Sequence, residues 1–372
     1  MKPTFTGHVA AQSIPVYAGD GIVERCARMI ASRRRGLPVA LVSDTNVFPL
    51  HGRSFAAWLR KAGARPCPLV LPAGEDLKSA RTVNRLHEEW FAQQFDRTTP
   101  VIALGGGTIS DAVGFATATF LRGLPLWQIP TTLLGQVDAA IGGKVGINHR
   151  FGKNLIGAFY QPSGIVIDPS LLQTLPPREL CSGLAEVVKY GVIADTTLFV
   201  QCEHHINQWI TGKSPIPQDL IRRCVKIKLD IVGRDERDGS VRQILNFGHT
   251  LGHAIERWGG FRRFRHGEAV AMGMLAAGHM AVRRELFPSA HQRRLEELVT
   301  HLIPPMRSFS PSAAALMAHI SVDKKRRAGK QQWIIPRRIG RVMIVDDLSD
   351  REIRDAIAYL AQWARQHAAR VK

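Results

Sequence analysis

The chain has 372 residues, enough for two domains, because a single core rarely grows past about 250 to 300 residues. Its 45% hydrophobic content, 33 glycines and ordinary aromatic share describe a globular chain and exclude long disorder, while no run of about 18 apolar residues offers a membrane span. The net charge of +19 raises a nucleic-acid partner, yet 37 of the 50 basic residues are Arg, many in short runs such as Arg33–Arg34–Arg35 that read as solvated faces, so that partner is disfavoured.

The first residues carry a charge but no continuous apolar segment behind it, which argues against a signal peptide. Cys26, Cys67, Cys181, Cys202 and Cys224 are an odd, scattered set without a CxxC, so reduced thiols and a cytoplasmic location are expected.

From residue 14 to about 170, short apolar runs alternate with helical patterns: IPVYAG, PVALVSD (38–44), PCPLVLPAG (66–74), TPVIALGGG (99–107) and LPLWQIPTT (124–132). Runs of this length, stopped by Gly, Pro or Asp, predict a parallel sheet with crossover helices. Past residue 170 the strand signals nearly vanish, and stretches such as ELCSGLAEVVKYGVIA and GEAVAMGMLAAGHMAVRREL carry helical periodicity. The one late exception, QQWIIP with RVMIVDDL, reads as a small hairpin or irregular segment. The expected division is therefore 1–170, an α/β Rossmann-like domain, and 171–372, an all-α domain, with the Gly- and Pro-containing segment 150–178 as the join.

In VIALGGGTISD a buried strand runs into three glycines and a helix start. Such a loop lets backbone N–H groups meet a pyrophosphate, although Ser110 stands where the dinucleotide fingerprint has its third glycine. Asp44, ending its strand, is a candidate partner for ribose hydroxyls. The glycine-rich stretch 136–154 gathers Asp138, Lys144, Lys153 and Asn154, which read as a solvated loop or as an anion site.

Glu186 and Lys189 lie three apart on one face of an otherwise apolar helix, where such charges must be paired or ligating. In NFGHTLGHAIE, His249 and His253 lie four apart, so their rings share a face. No glutamate stands between them, unlike the zinc-protease motif. With His266, which opens a further helix, Glu186 and one of the two histidines make a three-ligand O/N set of the catalytic-zinc type, leaving the other histidine for proton transfer or an oxyanion contact.

These motifs, together with RGLPLWQIPTT, QVDAAIGGKVGINHRFGKN, GAFYQP, LPPRELCSGLAEVVKYG, RDERDGSVRQILNFGHTLGHAIE, HGEAVAMGM and DKKRRAGKQQW, resemble the dehydroquinate synthase family of sugar phosphate cyclases from roughly Asp44 to Gly340. The resemblance implies an N-terminal NAD-binding domain, a C-terminal metal domain, a site in the cleft between them and a homodimer. It implies Glu186, His249 and His266 as ligands of a divalent metal, zinc or else cobalt. Asp44, Glu75, Lys78, Gly106, Gly107, Asp111, Thr131, Thr132 and Lys153 match cofactor positions. His253, Lys144, Asn246 and Lys189 match catalytic positions; Asp138, Asn154, Lys228, Arg242 and one of Lys324 or Lys325 match substrate positions, and Arg122 an arginine that reaches the partner subunit's site.

The implied reaction turns 3-deoxy-D-arabino-heptulosonate 7-phosphate into 3-dehydroquinate and phosphate with NAD regenerated. Lys228 and Arg242 would hold the substrate carboxylate, which favours this substrate over sugar phosphates that lack one. The alternatives are the amino analogue's cyclase and a metal-dependent polyol dehydrogenase. The chain departs from the family pattern at Ser110, Ala139, Ala140, Val145–Gly146 and Arg150–Phe151, none of them an assigned ligand or charge.

Overall fold

The computed structural model describes residues 1–306, 309–324 and 331–370, with only the backbone of 321–324 and of residue 370. Among them, no helix is long and apolar enough to cross a membrane. The chain forms two compact units, residues 1–176 with 216–237, and residues 177–215 with 238–372.

The first unit is built on seven strands: β1 (Phe5–Val9), β2 (Gln12–Ala18), β3 (Pro38–Asp44), β4 (Arg65–Leu71), β5 (Val101–Gly105), β6 (Leu126–Pro130) and, after an intervening hairpin of β7 (Lys144–His149) and β8 (Gly152–Phe159), β9 (Gly164–Ile167). Their order is β1-β2-β9-β6-β5-β3-β4, parallel throughout except for β1 on β2. Successive residues of β3 and β5 enter opposite cores. Val39, Leu41, Ile102 and Leu104 pack with helices α1 (Ile22–Ser32) and α2 (Arg53–Lys61), whereas Ala40, Val42, Val101 and Ala103 pack with α3 (Ala80–Ala92) and α4 (Gly107–Thr119). This period of two, buried on both faces, is why the strands read as continuous apolar runs. The winding reverses between β3 and β5, which leaves a crevice at their carboxyl ends, the usual ligand position in such sheets.

The second unit opens with α5 (Pro177–Ile193) and α6 (Thr196–Ile210). Helix α7 (Gln218–Arg234) then returns to the first unit, where its Gly233 comes so close to β1 that a Cβ there would stand 2.4 Å from the His8 carbonyl oxygen. This differs from the single boundary expected at residue 170: amphipathicity marks α7 as a helix without saying which core it faces. The second unit resumes with α8 (His249–Trp258), α9 (His266–Arg283), α10 (Ser289–Leu302), α11 (Ala313–Lys324), the hairpin β10 (Trp333–Arg338) and β11 (Arg341–Val345), and α12 (Asp350–Arg370).

Helices α5 and α9 are buried on nearly every side, so they carry apolar residues all round. Their backbones approach α8 and each other through glycine. A Cβ at Gly273 would lie 1.8 Å from the Gly248 carbonyl oxygen, and one at Gly267 would lie 2.2 Å from the Ser182 carbonyl oxygen. The glycines of GHTLGH and HGEAVAMG are thus contact points that bring three functional helices together.

Candidate active site

In the second unit, α5 carries Glu186, α8 carries His249 and His253, and α9 begins at His266. The Glu186 carboxylate is fully buried. Its Oε1 lies 3.7 Å from His249 Nε2 and 3.5 Å from His266 Nε2, while its Oε2 contacts the Lys189 ammonium. One Glu186 carboxylate oxygen is thus ion-paired, and the other faces two imidazoles.

The two rings are held from behind. His249 Nδ1 lies 3.2 Å from the Phe247 carbonyl oxygen and His266 Nδ1 lies 3.2 Å from Glu256 Oε2, which directs each Nε2 toward Glu186. Bonds of about 2.0 to 2.2 Å in tetrahedral array separate zinc ligands by about 3.3 to 3.6 Å, so donors at the observed spacing fit an ion with little adjustment. Glu256 was not singled out in the sequence, where an acid near the end of an amphipathic helix reads as surface; here it is buried. It also closes a second group, His253, Glu256 and His266, whose donors lie within 4.8 Å of one another.

Electrostatics separate the two imidazoles. Burial, reinforced by the Lys189 ammonium, lowers the pKa of His249 to about 3, so it is neutral and ready to ligate. Burial also opposes charge on His266, but the Glu256 and Glu186 carboxylates outweigh it and raise its pKa to about 10. The start of α9 is anchored by Glu268, which accepts from Arg178 Nε at 2.6 Å, from Arg178 Nη2 at 3.0 Å and from the Arg265 backbone N–H at 2.9 Å. On the preceding turn Val241–Asn246, Arg242 is buried and Asn246 is the last residue.

In the first unit, Asp44, Gly106, Gly107, Asp111, Thr131 and Thr132 all stand at the carboxyl edge of β3, β5 and β6. Gly106 precedes α4, whose first N–H groups face outward from the helix start. Its space is closed by Thr132, whose Cγ2 would lie 3.1 Å from an added Cβ. The Asp44 carboxylate accepts from the backbone N–H groups of Asn46 and Val47 at 2.9 and 3.0 Å and so shapes the turn after β3.

Residues expected to serve cofactor and substrate separately meet in one cluster. Lys78 Nζ donates to Asp111 Oδ2 at 2.6 Å and also contacts Asn154 Oδ1. Glu75 Oε1 lies 3.9 Å from Lys78 Nζ and 4.0 Å from Lys153 Nζ. The stretch 136–154 is not a plain loop: it is the helical turn Gly135–Ala139 followed by β7, with Lys144 exposed at its start, and the beginning of β8. Lys228 reaches from α7 to donate to Asp138, at 2.8 Å to Oδ1 and 2.7 Å to the carbonyl oxygen.

Lys228 and Arg242, expected to form one clamp, belong to different units. Arg122 is exposed on a turn where Leu121, Arg122 and Gly123 all have positive φ, of 48°, 68° and 119°. Lys324 ends α11, but its side chain and the whole of Lys325 lie outside the described residues.

The first unit is thus a doubly wound α/β sheet, and the second is a helical unit that brings Glu186, His249 and His266 together. The chain is similar to 2-epi-5-epi-valiolone synthase from Streptomyces hygroscopicus, solved with NAD+ and Zn2+ bound, at a TM-score of 0.88 and 30% identity over 95% of this chain and 98% of that one. A 2-deoxy-scyllo-inosose synthase, complexed with carbaglucose-6-phosphate, NAD+ and Co2+, shares the fold at a TM-score of 0.84 and 24% identity, covering 95% and 99% of the two chains. Residues 68–182 match the 3-dehydroquinate synthase N-terminal family and residues 183–326 the C-terminal family. The 3-dehydroquinate synthase of Nostoc punctiforme is 39% identical over 96% of this chain and 99% of its own length. The chain belongs to the 3-dehydroquinate synthase family and is an enzyme, a phosphate-eliminating cyclase of the lyase class.

Proposed function

We propose that the chain converts 3-deoxy-D-arabino-heptulosonate 7-phosphate to 3-dehydroquinate and inorganic phosphate, a step of aromatic amino acid biosynthesis. The observation that carries the reading is the convergence of Glu186, His249 and His266 with both Nδ1 atoms engaged from behind. These three residues would hold a divalent ion, zinc or cobalt, whose chemistry is to polarise the substrate hydroxyl that is oxidised. Asp44, Glu75, Lys78, Gly106, Gly107, Asp111, Thr131, Thr132 and Lys153 would hold NAD, which supplies a hydride acceptor and returns the hydride within the cycle.

The chain's own residues do the rest. Oxidation to a ketone acidifies the neighbouring carbon, so its proton leaves and phosphate departs by elimination. Lys144, Asn154, Asn246 and His253 steady the charge on the leaving phosphate, and His253 is placed to handle a proton. Lys189 holds the Glu186 carboxylate and, with Asp138, orders the substrate hydroxyls. Lys228 and Arg242 hold the substrate carboxylate, a task with no counterpart in a polyol dehydrogenase. One of Lys324 or Lys325 adds a further cation.

The working form is a homodimer. Phe151, Leu155, Ile156 and Phe159 are exposed apolar side chains on β8 and the turn before it, and the Tyr160 hydroxyl, next along the chain, donates to Leu124 on the turn that carries Arg122. Exposed apolar side chains on a hairpin joined to the turn of an exposed arginine suit a second copy of the chain, whose site Arg122 enters. Among the described residues no disulfide joins the five cysteines, which suits the cytoplasm.

The test is to incubate zinc-loaded protein with NAD and 3-deoxy-D-arabino-heptulosonate 7-phosphate, following phosphate and the carbocyclic product by mass, beside Arg242→Ala. Phosphate and 3-dehydroquinate without net NADH, lost in the variant, support the reading. Loaded, folded protein that binds NAD and leaves this substrate untouched overturns it; turnover of the 4-amino analogue instead would identify the alternative cyclase.

A further inference from the structure

The β7–β8 hairpin contains an irregularity that the proposed chemistry leaves unused. Its ladder pairs Ile147 with Ile156 and then His149 with Gly152, so the single residue Asn148 stands opposite three, Lys153, Asn154 and Leu155. The extra residues of β8 are accommodated by Asn154, whose φ of 55° is left-handed, a conformation that Asn tolerates better than most side chains. A bulge of this kind re-aims side chains and strips ladder partners from its backbone.

Asn148 supplies the missing partners. Its Oδ1 accepts from the Asn154 backbone N–H at 3.0 Å, its Nδ2 donates to Glu75 Oε1 at 2.9 Å, and its backbone N–H donates to the Lys78 carbonyl oxygen at 2.9 Å. One residue thus ties the bulge to the turn Glu75–Lys78, and the Lys78 ammonium closes the circuit on the Asn154 side chain. With neither hydrogen bond from its side chain, Asn154 would lose what holds its left-handed backbone, and its amide would lose its aim.

We infer that Asn148 is a positioning residue that sets Asn154 for the phosphate group of the substrate and couples it to the cofactor-side turn at Glu75 and Lys78. The inference rests on the roles given above to Asn154 and Lys78. Asn148 touches no reacting atom in this scheme; it acts through Asn154. A purely structural tie would, when cut, weaken every ligand or the fold as a whole. A positioning tie is selective for the phosphate end.

The experiment measures inhibition or binding constants of inorganic phosphate and of 3-dehydroquinate on NAD- and zinc-loaded wild type, Asn148→Ala and Asn148→Asp, with thermal melts alongside. In Asn148→Ala the phosphate constant is expected to weaken by about tenfold, the scale of losing a polar contact to a charge-binding group, while 3-dehydroquinate stays within about twofold. Asn148→Asp keeps the acceptor for the Asn154 N–H and is expected to recover part of the phosphate affinity, although its carboxylate faces Glu75. An Asn148→Ala/Asn154→Ala double variant is expected to be no weaker for phosphate than Asn154→Ala alone, because the two act as one unit. Equal weakening of both ligands, or additive losses in the double variant, would overturn the inference. An inactive wild type would instead count against the proposed reaction, since the phosphate comparison needs no turnover.

Discussion

His266 stands between two carboxylates, with Nδ1 3.2 Å from Glu256 and Nε2 3.5 Å from Glu186. The metal-free ring therefore keeps a proton well above the ordinary histidine range, with a pKa of about 10, even though burial alone would lower it. Because the folded pKa is raised above the unfolded one, the charged ring stabilises the metal-free protein fully below about pH 6.5, and that contribution is lost as pH climbs through about 10. A zinc ion must displace that proton. Titration calorimetry at pH 8 in buffers of different ionisation enthalpy is expected to show release of about one proton per ion, with affinity rising with pH. Proton-neutral binding would contradict this account.

Glu256→Gln removes the charge behind His266 and keeps the shape. Zinc affinity is expected to fall by about 10- to 100-fold, the usual effect of losing a carboxylate behind a ligating imidazole. Competition with a chromophoric chelator measures it, and the proton release at pH 8 should shrink in the same variant. Unchanged affinity would show that the ring needs no support from Glu256.

Gly273→Ala places a methyl group 1.8 Å from the Gly248 carbonyl oxygen, in the backbone contact that brings α9 to α8. Overpacking of this kind costs about 1 to 3 kcal/mol, so a melting point lower by several degrees is expected, together with a reduced zinc content of the purified protein. Thermal unfolding and elemental analysis check the two halves of that statement.

Ile156→Glu with Phe159→Glu puts two charges among the exposed apolar side chains of β8, one on each face of the strand. Sedimentation is expected to show a shift from dimer to monomer, and activity should fall with it if Arg122 serves the partner's site. A dimer that survives both substitutions would move the interface elsewhere.

Much of this molecule could be read from the chain. β3, β5 and β6 announce themselves because both their faces are buried, and the i, i+4 spacing of His249 and His253 points to a shared target before any fold is known. Other parts could not be read this way. β1, with its polar FTGHV, lacks a clean pattern, and the glycines and bulge of the β7–β8 hairpin break its alternation, so that it reads as a loop. The engagement of Lys228 with Asp138 across 90 residues, or of Asn148 with Glu75 across 73, leaves no local periodicity to detect. The division of the chain escaped for the same reason, since α7 packs by contact with β1 and its own amphipathic pattern does not name that partner.

The return of α7 to the first unit means that the chain passes from one unit to the other three times, after Pro176, Pro215 and Arg237. No single cut separates the two. A fragment ending at residue 176 would lack both the cover over β1 and the ammonium of Lys228, so a gene split at the apparent boundary yields two incomplete pieces. Each unit's sequence is interrupted by the other's, so neither is encoded by one continuous stretch of the chain.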